Sequence, residues 1–108
     1  MKTLEEIKTI LAYHKEELRK KFKVKEIGIF GSYVKGEQKK NSDIDMIIGF
    51  ENEESIRGFK YIGLMNELEE YLKNTLHIKP HLASKRHASS SDKWKFIKDE
   101  LIYVKISE

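Results

Sequence analysis

Two apolar runs separated by a polar connection, all within residues 27–50, constrain the fold of this chain more than any other feature. The runs occupy 27–30 and 44–50, and they are rich in Ile, Phe and Met. Near-continuous apolar runs of this length, bounded by Gly, Asn and Ser, are typical of buried β-strands. We therefore predict strands over Val24–Phe30 and 43–50, joined by a polar turn.

Amphipathic helical patterns flank this segment on both sides. Apolar residues at helical spacing predict a first helix over 3–22 and a second helix over 56–73. His14 lies on the apolar stripe of the first helix, where a histidine is more often a boundary or core residue than a ligand. The second helix has candidate caps and a candidate stop at its ends: Asn52, Ser55 and Asn74.

The rest of the sequence predicts a third strand, a last helix and an extended tail. The strand covers 76–83, and Pro80 indicates an edge position or a bulge because proline cannot donate to the sheet ladder. A polar loop over 84–91 follows, and Asp92 then caps a helix that passes into an extended tail at 102–106. The apolar residues of that helix share one face: Trp94, Ile97 and Leu101.

The predicted elements follow the order helix, strand, helical turn, strand, helix, strand, helix. The length of 108 residues suits one compact domain, which we place at 1–108. The simplest architecture is an α/β (α+β) fold, in which a small mixed β-sheet of about three to four strands is covered on one side by helices. Gly28, inside the first predicted strand, indicates a close approach by another element.

Composition excludes several classes of protein. The chain has no cysteine, which rules out a disulfide framework and a thiolate metal site. It has neither an apolar run long enough to span a membrane nor the apolar segment of a signal peptide. The net charge of +3 is small, and no alternation of basic and aromatic residues indicates a nucleic-acid surface. We therefore expect a cytoplasmic protein that binds neither membranes nor nucleic acids directly.

Two carboxylates stand one residue apart at the start of the second predicted strand. Residues i and i+2 of a strand point to the same side, so Asp43 and Asp45 project together while Ile44 and Met46 turn into the core. Paired carboxylates at an exposed strand end supply oxygen ligands for a hard cation such as Mg²⁺. Asp43 and Asp45 are therefore candidate metal ligands.

The turn that follows the first predicted strand suits an anion. Gly31 lets the backbone approach a ligand closely, and the N–H groups of a turn that begins a helix point outward. The hydroxyl of Ser32 adds a donor, and Lys35 lies one turn further on, where its charge would be near bound phosphates. Neither this turn nor the Asp-x-Asp pair identifies a function by itself, because both are common in loops and at strand ends.

The combination is far less common. Gly31-Ser32, then ten intervening residues, then Asp43-Ile44-Asp45, all between apolar strands, is a pattern that resembles the polymerase-β-like nucleotidyltransferase superfamily, specifically its minimal nucleotidyltransferase (MNT) group of antitoxin type. The matching residues read GSYVKGEQKKNSDIDMII, and the element order matches over nearly the whole chain. The resemblance implies a nucleotidyltransferase fold and a nucleoside triphosphate, ATP, with its phosphates on the Gly-Ser turn. It also implies that Mg²⁺ is held by the two aspartates.

The chain departs from the family at its third strand. Active members carry a third carboxylate there, which completes the metal arrangement, whereas the corresponding position here is His81. In one interpretation, His81 accepts the proton of the attacking hydroxyl. In another, a different carboxylate such as Asp92 reaches the site. In the third, the site binds Mg²⁺ and nucleotide but transfers poorly, because imidazole is a poor substitute for a carboxylate around Mg²⁺.

Two functions follow from the resemblance. The first is a transferase that moves AMP from ATP to a hydroxyl on a partner, a helical HEPN-type ribonuclease toxin. The second is a catalytically weak or inactive nucleotide-binding module that inhibits the same partner by binding. A chain of 108 residues leaves little room for a separate acceptor domain, so we expect the partner to supply the acceptor. The candidate catalytic residues are Asp43, Asp45 and His81, and the candidate nucleotide-binding residues are Gly31, Ser32 and Lys35.

Overall fold

A computed structural model describes residues 2–107, which form one four-stranded sheet and several helices. The strands lie in the spatial order β3-β2-β1-β4. The first is antiparallel to the second and the fourth, and the second is parallel to the third. This confirms the predicted mixed sheet, whereas the single domain at 1–108 stays a prediction. The strands are β1 (Val24–Phe30), β2 (Ile44–Phe50), β3 (Pro80–Ser84) and β4 (Ile102–Lys105).

Two helices precede β1, one turn of helix joins β1 to β2, one long helix leads to β3, and two short helices lie between β3 and β4. Within residues 2–107, no helix combines the length and the apolar character that crossing a membrane requires. The helices are α1 (Leu4–Tyr13), α2 (Lys15–Phe22), α3 (Ser32–Lys35), a 3₁₀ turn at Glu53–Ser55, α4 (Phe59–Leu76), α5 (Lys85–Ser89) and α6 (Trp94–Ile97).

The predicted first helix is divided at His14, which ends α1 and precedes α2. Thr3 and Glu6 form a capping box at the start of α1, in which each side chain accepts a hydrogen bond from the other residue's backbone N–H. His14 is half-buried, and its Nδ1 lies 3.2 Å from the hydroxyl oxygen of Tyr71 in α4. His14 is therefore a boundary residue, as predicted.

The main core lies between one face of the sheet and helices α1, α2 and α4. On that face, the fully buried residues of β1 stand opposite those of β2: Ile27 opposite Ile48, and Ile29 opposite Met46. Burial of each such aliphatic side chain stabilises the fold by roughly 1.5–3 kcal/mol relative to exposure. The helices contribute the complementary apolar stripe: Ile7, Leu11, Leu18, Phe22, Leu68, Leu72 and Leu76.

The second face of the sheet is also covered, so the predicted one-sided architecture is wrong. A β-carbon added at Gly28 would lie 2.8 Å from Leu101 Cδ2 and 3.0 Å from the Tyr103 ring. On the same face, the Lys85 ammonium lies over the Tyr103 ring and 2.8 Å from a Glu26 carboxylate oxygen. The chain from α5 to β4 thus crosses this face, and Gly28 permits the close approach that its position predicted.

Helix α4 and strand β3 are both displaced along the chain from their predicted bounds. The helix begins after Gly58, and it continues past Asn74 to a C-cap at His77. Burial of Leu76, one turn beyond Leu72, favours these extra residues. Strand β3 consequently begins only at Pro80, at the edge of the sheet that this proline predicted.

The segment between β3 and β4 differs most from its prediction. Residues 84–91, predicted as a loop, contain α5, which is capped by Ser84 accepting from the His87 N–H at 3.2 Å. The predicted last helix is one turn only, and its N-cap is Lys93 without a side-chain cap, so Asp92 does not cap it. Its apolar residues are half-buried rather than core: Trp94, Ile97 and Leu101.

Candidate active site

The two aspartates lie where β2 begins. Asp43 immediately precedes the strand, and Asp45 is its second residue, paired with Phe30 of β1 on one side and with His81 of β3 on the other. Both aspartates are half-buried, whereas Ile44 between them is fully buried. The predicted alternation is confirmed, because Ile44 belongs to the core and both carboxylates reach the same neighbouring side chain.

That neighbour is His81, whose imidazole lies between the two carboxylates. Its Nε2 is 3.0 Å from Asp43 Oδ2, and its Nδ1 is 3.6 Å from Asp45 Oδ1. The parallel register of β2 and β3 sets this arrangement, because Asp45 and His81 are direct neighbours across the two strands. The structure therefore brings the three predicted catalytic residues together at one end of the sheet.

The turn after β1 lies against the same carboxylates. Gly31 has a φ of +80°, which L-residues with a side chain rarely adopt. A β-carbon at Gly31 would also collide with the Oδ2 atom of Asp45. Glycine is therefore required here for its backbone conformation, and a side chain at this position would also displace the Asp45 carboxylate.

The backbone of this turn begins α3. The carbonyl oxygen of Gly31 accepts hydrogen bonds from the N–H groups of Val34 at 3.1 Å and Lys35 at 3.2 Å. Ser32, the first residue of α3, is half-buried beside the turn, whereas Lys35 is exposed. The structure thus places Gly31 against Asp45, with Ser32 and Lys35 in the helical turn that follows it.

Glu100 joins this turn from the far end of the chain, and the sequence did not predict it. Its Oε1 accepts a hydrogen bond of 3.0 Å from the N–H of Gly31, and its Oε2 lies 3.7 Å from Lys35 Nζ. The packing of Leu101 on Gly28 places Glu100 at the end of β1. The only signal in the sequence was Gly28, which indicated a close approach without identifying the partner.

The site concentrates negative charge. Burial raises the pKa of the Asp45 carboxyl above its usual range, His81 acts in the opposite direction, and the charges of Asp43 and Glu100 raise the pKa again. Burial, and then the charge of Asp43, also raise the pKa of Tyr33, which packs in the core beneath the turn. A bound cation would relieve this repulsion between carboxylates.

The donors at the site fit a magnesium ion in part. Carboxylate oxygens are ligands that Mg²⁺ prefers, and Asp43 and Asp45 offer them side by side. Among residues 2–107, however, no set of three or more His, Cys, Asp and Glu side chains is arranged to hold a metal ion. The two aspartates would therefore exchange the imidazole for the cation, with phosphate or water oxygens as the remaining ligands.

Comparisons with known proteins agree with this geometry. Residues 11–105 match the model of the nucleotidyltransferase domain. The chain is 46% identical to protein adenylyltransferase MntA of Thermococcus cleftensis over 104 residues, which are 96% of this chain and 98% of that protein. It is 47% identical over 104 residues, 96% of this chain and 100% of the relative, to a Methanocaldococcus jannaschii protein named putative protein adenylyltransferase MJ0126. The resemblance seen in the sequence is thus confirmed, and the chain belongs to the nucleotidyltransferase domain family, in its minimal, MntA-like group.

Proposed function

We propose that this chain transfers AMP from ATP to a hydroxyl on a partner protein, in a reaction that depends on Mg²⁺. The observation that carries the proposal is the meeting of Asp43, Asp45 and His81 beside the Gly31 turn. The names of the relatives, protein adenylyltransferases, support a protein as the acceptor.

In this proposal the residues of the turn hold the triphosphate. The backbone N–H groups at the start of α3 and the Ser32 hydroxyl donate hydrogen bonds to phosphate oxygens, and Lys35 adds a positive charge. Asp43 and Asp45 hold Mg²⁺ against the same phosphates. The bound cation neutralises phosphate charge and fixes the geometry of attack, which is most of what such a transfer requires.

In the transfer, one bond forms, one bond breaks and one proton moves. The acceptor oxygen forms a bond to the α-phosphorus, the bond from that phosphorus to the bridging oxygen breaks, and pyrophosphate leaves. His81, which a cation on the two aspartates would displace from their carboxylates, accepts the hydroxyl proton, in the role that the sequence left open. General-base assistance of this kind is worth about 10²–10⁴-fold in rate.

A second candidate function rests on the same imidazole. His81 lies between the two carboxylates that would bind Mg²⁺, and an imidazole in that position favours a module that binds its partner without chemistry. In both cases we propose a HEPN-type ribonuclease toxin as the partner and an antitoxin role for this chain, in the cytoplasm, where ATP and Mg²⁺ are available.

The test is an incubation of the chain with ATP labelled in its α-phosphate, Mg²⁺ and the helical protein encoded beside it. Label on the partner, lost when EDTA is added, is the expected result. A tight complex without label would overturn transfer in favour of inhibition by binding. Asp92→Asn is a matched control for variants of the site aspartates. Asp92 is exposed, and within residues 2–107 it forms no potential metal-binding group with Asp43 and Asp45, so labelling should not change.

A further inference from the structure

Glu100 touches two groups of the segment assigned above to the triphosphate. Its carboxylate accepts from the Gly31 N–H at 3.0 Å and lies 3.7 Å from the Lys35 ammonium. We propose that Glu100 is a positioning residue, which holds the glycine–serine turn and Lys35 in the arrangement that receives the triphosphate. This inference rests on the proposed function.

The turn needs a stabilising contact because its first residue, Gly31, has a flexible backbone. Gly31 has a positive φ, and a glycine loses more conformational freedom on folding than any other residue. Its carbonyl oxygen is used at the start of α3, so the N–H is the other backbone group through which the turn can be fixed. The bond to Glu100 fixes the peptide plane between Phe30 and Gly31, and with it the direction of the N–H groups that follow.

The second contact of Glu100 orients the ammonium group of Lys35. Lys35 has a long side chain that is 55% exposed, and an ion pair at such a site contributes little to stability. Its consequence is orientation, because it keeps the ammonium on the side of the turn where the Gly31 N–H points. Since the pair is weak, bound phosphate can draw Lys35 away at small cost.

The fold anchors Glu100 independently of the turn. Leu101, the next residue, packs on Gly28 in the middle of β1, and β4 begins immediately afterwards, paired with β1. Glu100 is therefore carried by the sheet itself, 69 residues away from Gly31 in the chain. Glu100 itself lies in a turn two residues before β4, and this link to a paired strand makes its carboxylate well suited to position the Gly31 turn.

A role for Glu100 as a competing anion would change the affinity for a triphosphate in the opposite direction. A carboxylate on the phosphate donors could also act as a competing anion, and its removal would then strengthen binding of a triphosphate. The positioning role predicts weaker binding, because the turn loosens and the N–H of Gly31 is left without its acceptor. The sign of the change in affinity therefore separates the two roles.

The experiment compares Glu100→Ala, Glu100→Gln and the wild type, with Asp99→Ala as a control at an exposed neighbour. Exchange of the Gly31 amide hydrogen is measured by NMR without nucleotide, and binding of MgATP by calorimetry. In Glu100→Ala we expect about tenfold faster exchange and about tenfold weaker binding, the loss of one charge-assisted hydrogen bond. Glu100→Gln keeps an acceptor oxygen, and we expect it to restore most of both properties.

Unchanged or tighter MgATP binding by Glu100→Ala would overturn the positioning role, as would failure of Glu100→Gln to restore what alanine removes. Glu100→Gln is expected to keep the thermal midpoint of the wild type, and Glu100→Ala to lower it only slightly, because the Gly31 N–H then has no acceptor. If the wild type binds no MgATP, the proposed function fails, and the exchange of the Gly31 amide still decides separately whether Glu100 holds the turn.

Discussion

The two parts of the chain that meet at the candidate site hold their side chains by different means. The first part, residues 24–50, is continuous: β1, the Gly31 turn and β2 place the two aspartates by strand alternation and by direct contact. The second part contributes His81 and Glu100 from separate elements, β3 and the residue pair before β4. The first part is local, and the second depends on how the sheet is assembled.

This difference indicates which part of the chain determines nucleotide binding and which part determines turnover. The continuous part carries the groups that we assign to metal and phosphate. The assembled part carries the groups that we assign to proton transfer and to positioning, His81 and Glu100. We therefore expect changes in the first part to abolish binding and changes in the second part to alter rate or affinity by degrees.

The largest effect is expected for Asp43→Asn combined with Asp45→Asn. The variant keeps the shape of both side chains and removes both charges that we assign to Mg²⁺, so binding of nucleotide in the presence of Mg²⁺ should fall below detection in calorimetry. Transfer of label to the partner should be lost with it. Nucleotide affinity equal to that of Asp92→Asn would contradict the metal role and remove the distinction between the two parts.

The next effect is expected for His81→Ala. If His81 accepts the hydroxyl proton, kcat should fall about 100-fold, as is usual for loss of a general base. The affinity for MgATP should not weaken, because the variant also removes the imidazole from between the two carboxylates. His81→Asp is the informative companion: a gain in transfer over the wild type would show instead that His81 has replaced a catalytic carboxylate in a weakened site.

A pair of glycines tests how tightly the first part is built. Gly31→Ala should destabilise the fold by about 3 kcal/mol, since a side chain at positive φ costs about 1–2 kcal/mol and crowding against Asp45 adds to it. Gly58→Ala is the matched control, because Gly58 has a similar backbone conformation (φ 60°, ψ −134°, against φ 80°, ψ −149° at Gly31) and open space around it, so only the backbone cost applies. Free energies of unfolding in urea give the difference. Equal losses would show that Asp45 does not press on the turn.

The first part could be predicted from the sequence because its information is local. Alternation of apolar and acidic residues defines β2 and the common side of Asp43 and Asp45, and the bounds predicted for β1 agree with the structure. Resemblance to a family predicted His81 as the residue in the third position, and the ladder between β2 and β3 places His81 beside Asp45. The predicted roles of these residues remain to be tested by the variants above.

Glu100 could not be predicted because its position depends on tertiary contacts. The spacing of Trp94, Ile97 and Leu101 predicted a helix, in which Glu100 would lie outside the apolar face. In the structure that helix is a single turn, and the following residues turn onto the second face of the sheet, where Gly28 leaves room for Leu101. A glycine in a strand shows that something approaches, but the approaching residue is far away in the sequence.

The smallest expected effect is on the pH dependence of the free energy of unfolding. It tests Asp45, where the two parts of the chain meet. Its pKa in the folded chain is raised above the ordinary value of 3.8, first by burial and then by Asp43 and Glu100, so the folded state binds more protons than the unfolded state just above pH 3.8. The free energy of unfolding should therefore fall as the pH rises through the folded pKa, by an amount that solvent screening at this half-exposed group keeps small. Asp45→Asn should lose this decline while Asp92→Asn keeps it, as measured by urea unfolding across this pH range. Glu100→Gln should reduce the decline only in part, because burial is the larger cause. An unaltered pH profile in Asp45→Asn would show that the pKa of Asp45 is not raised in the folded chain.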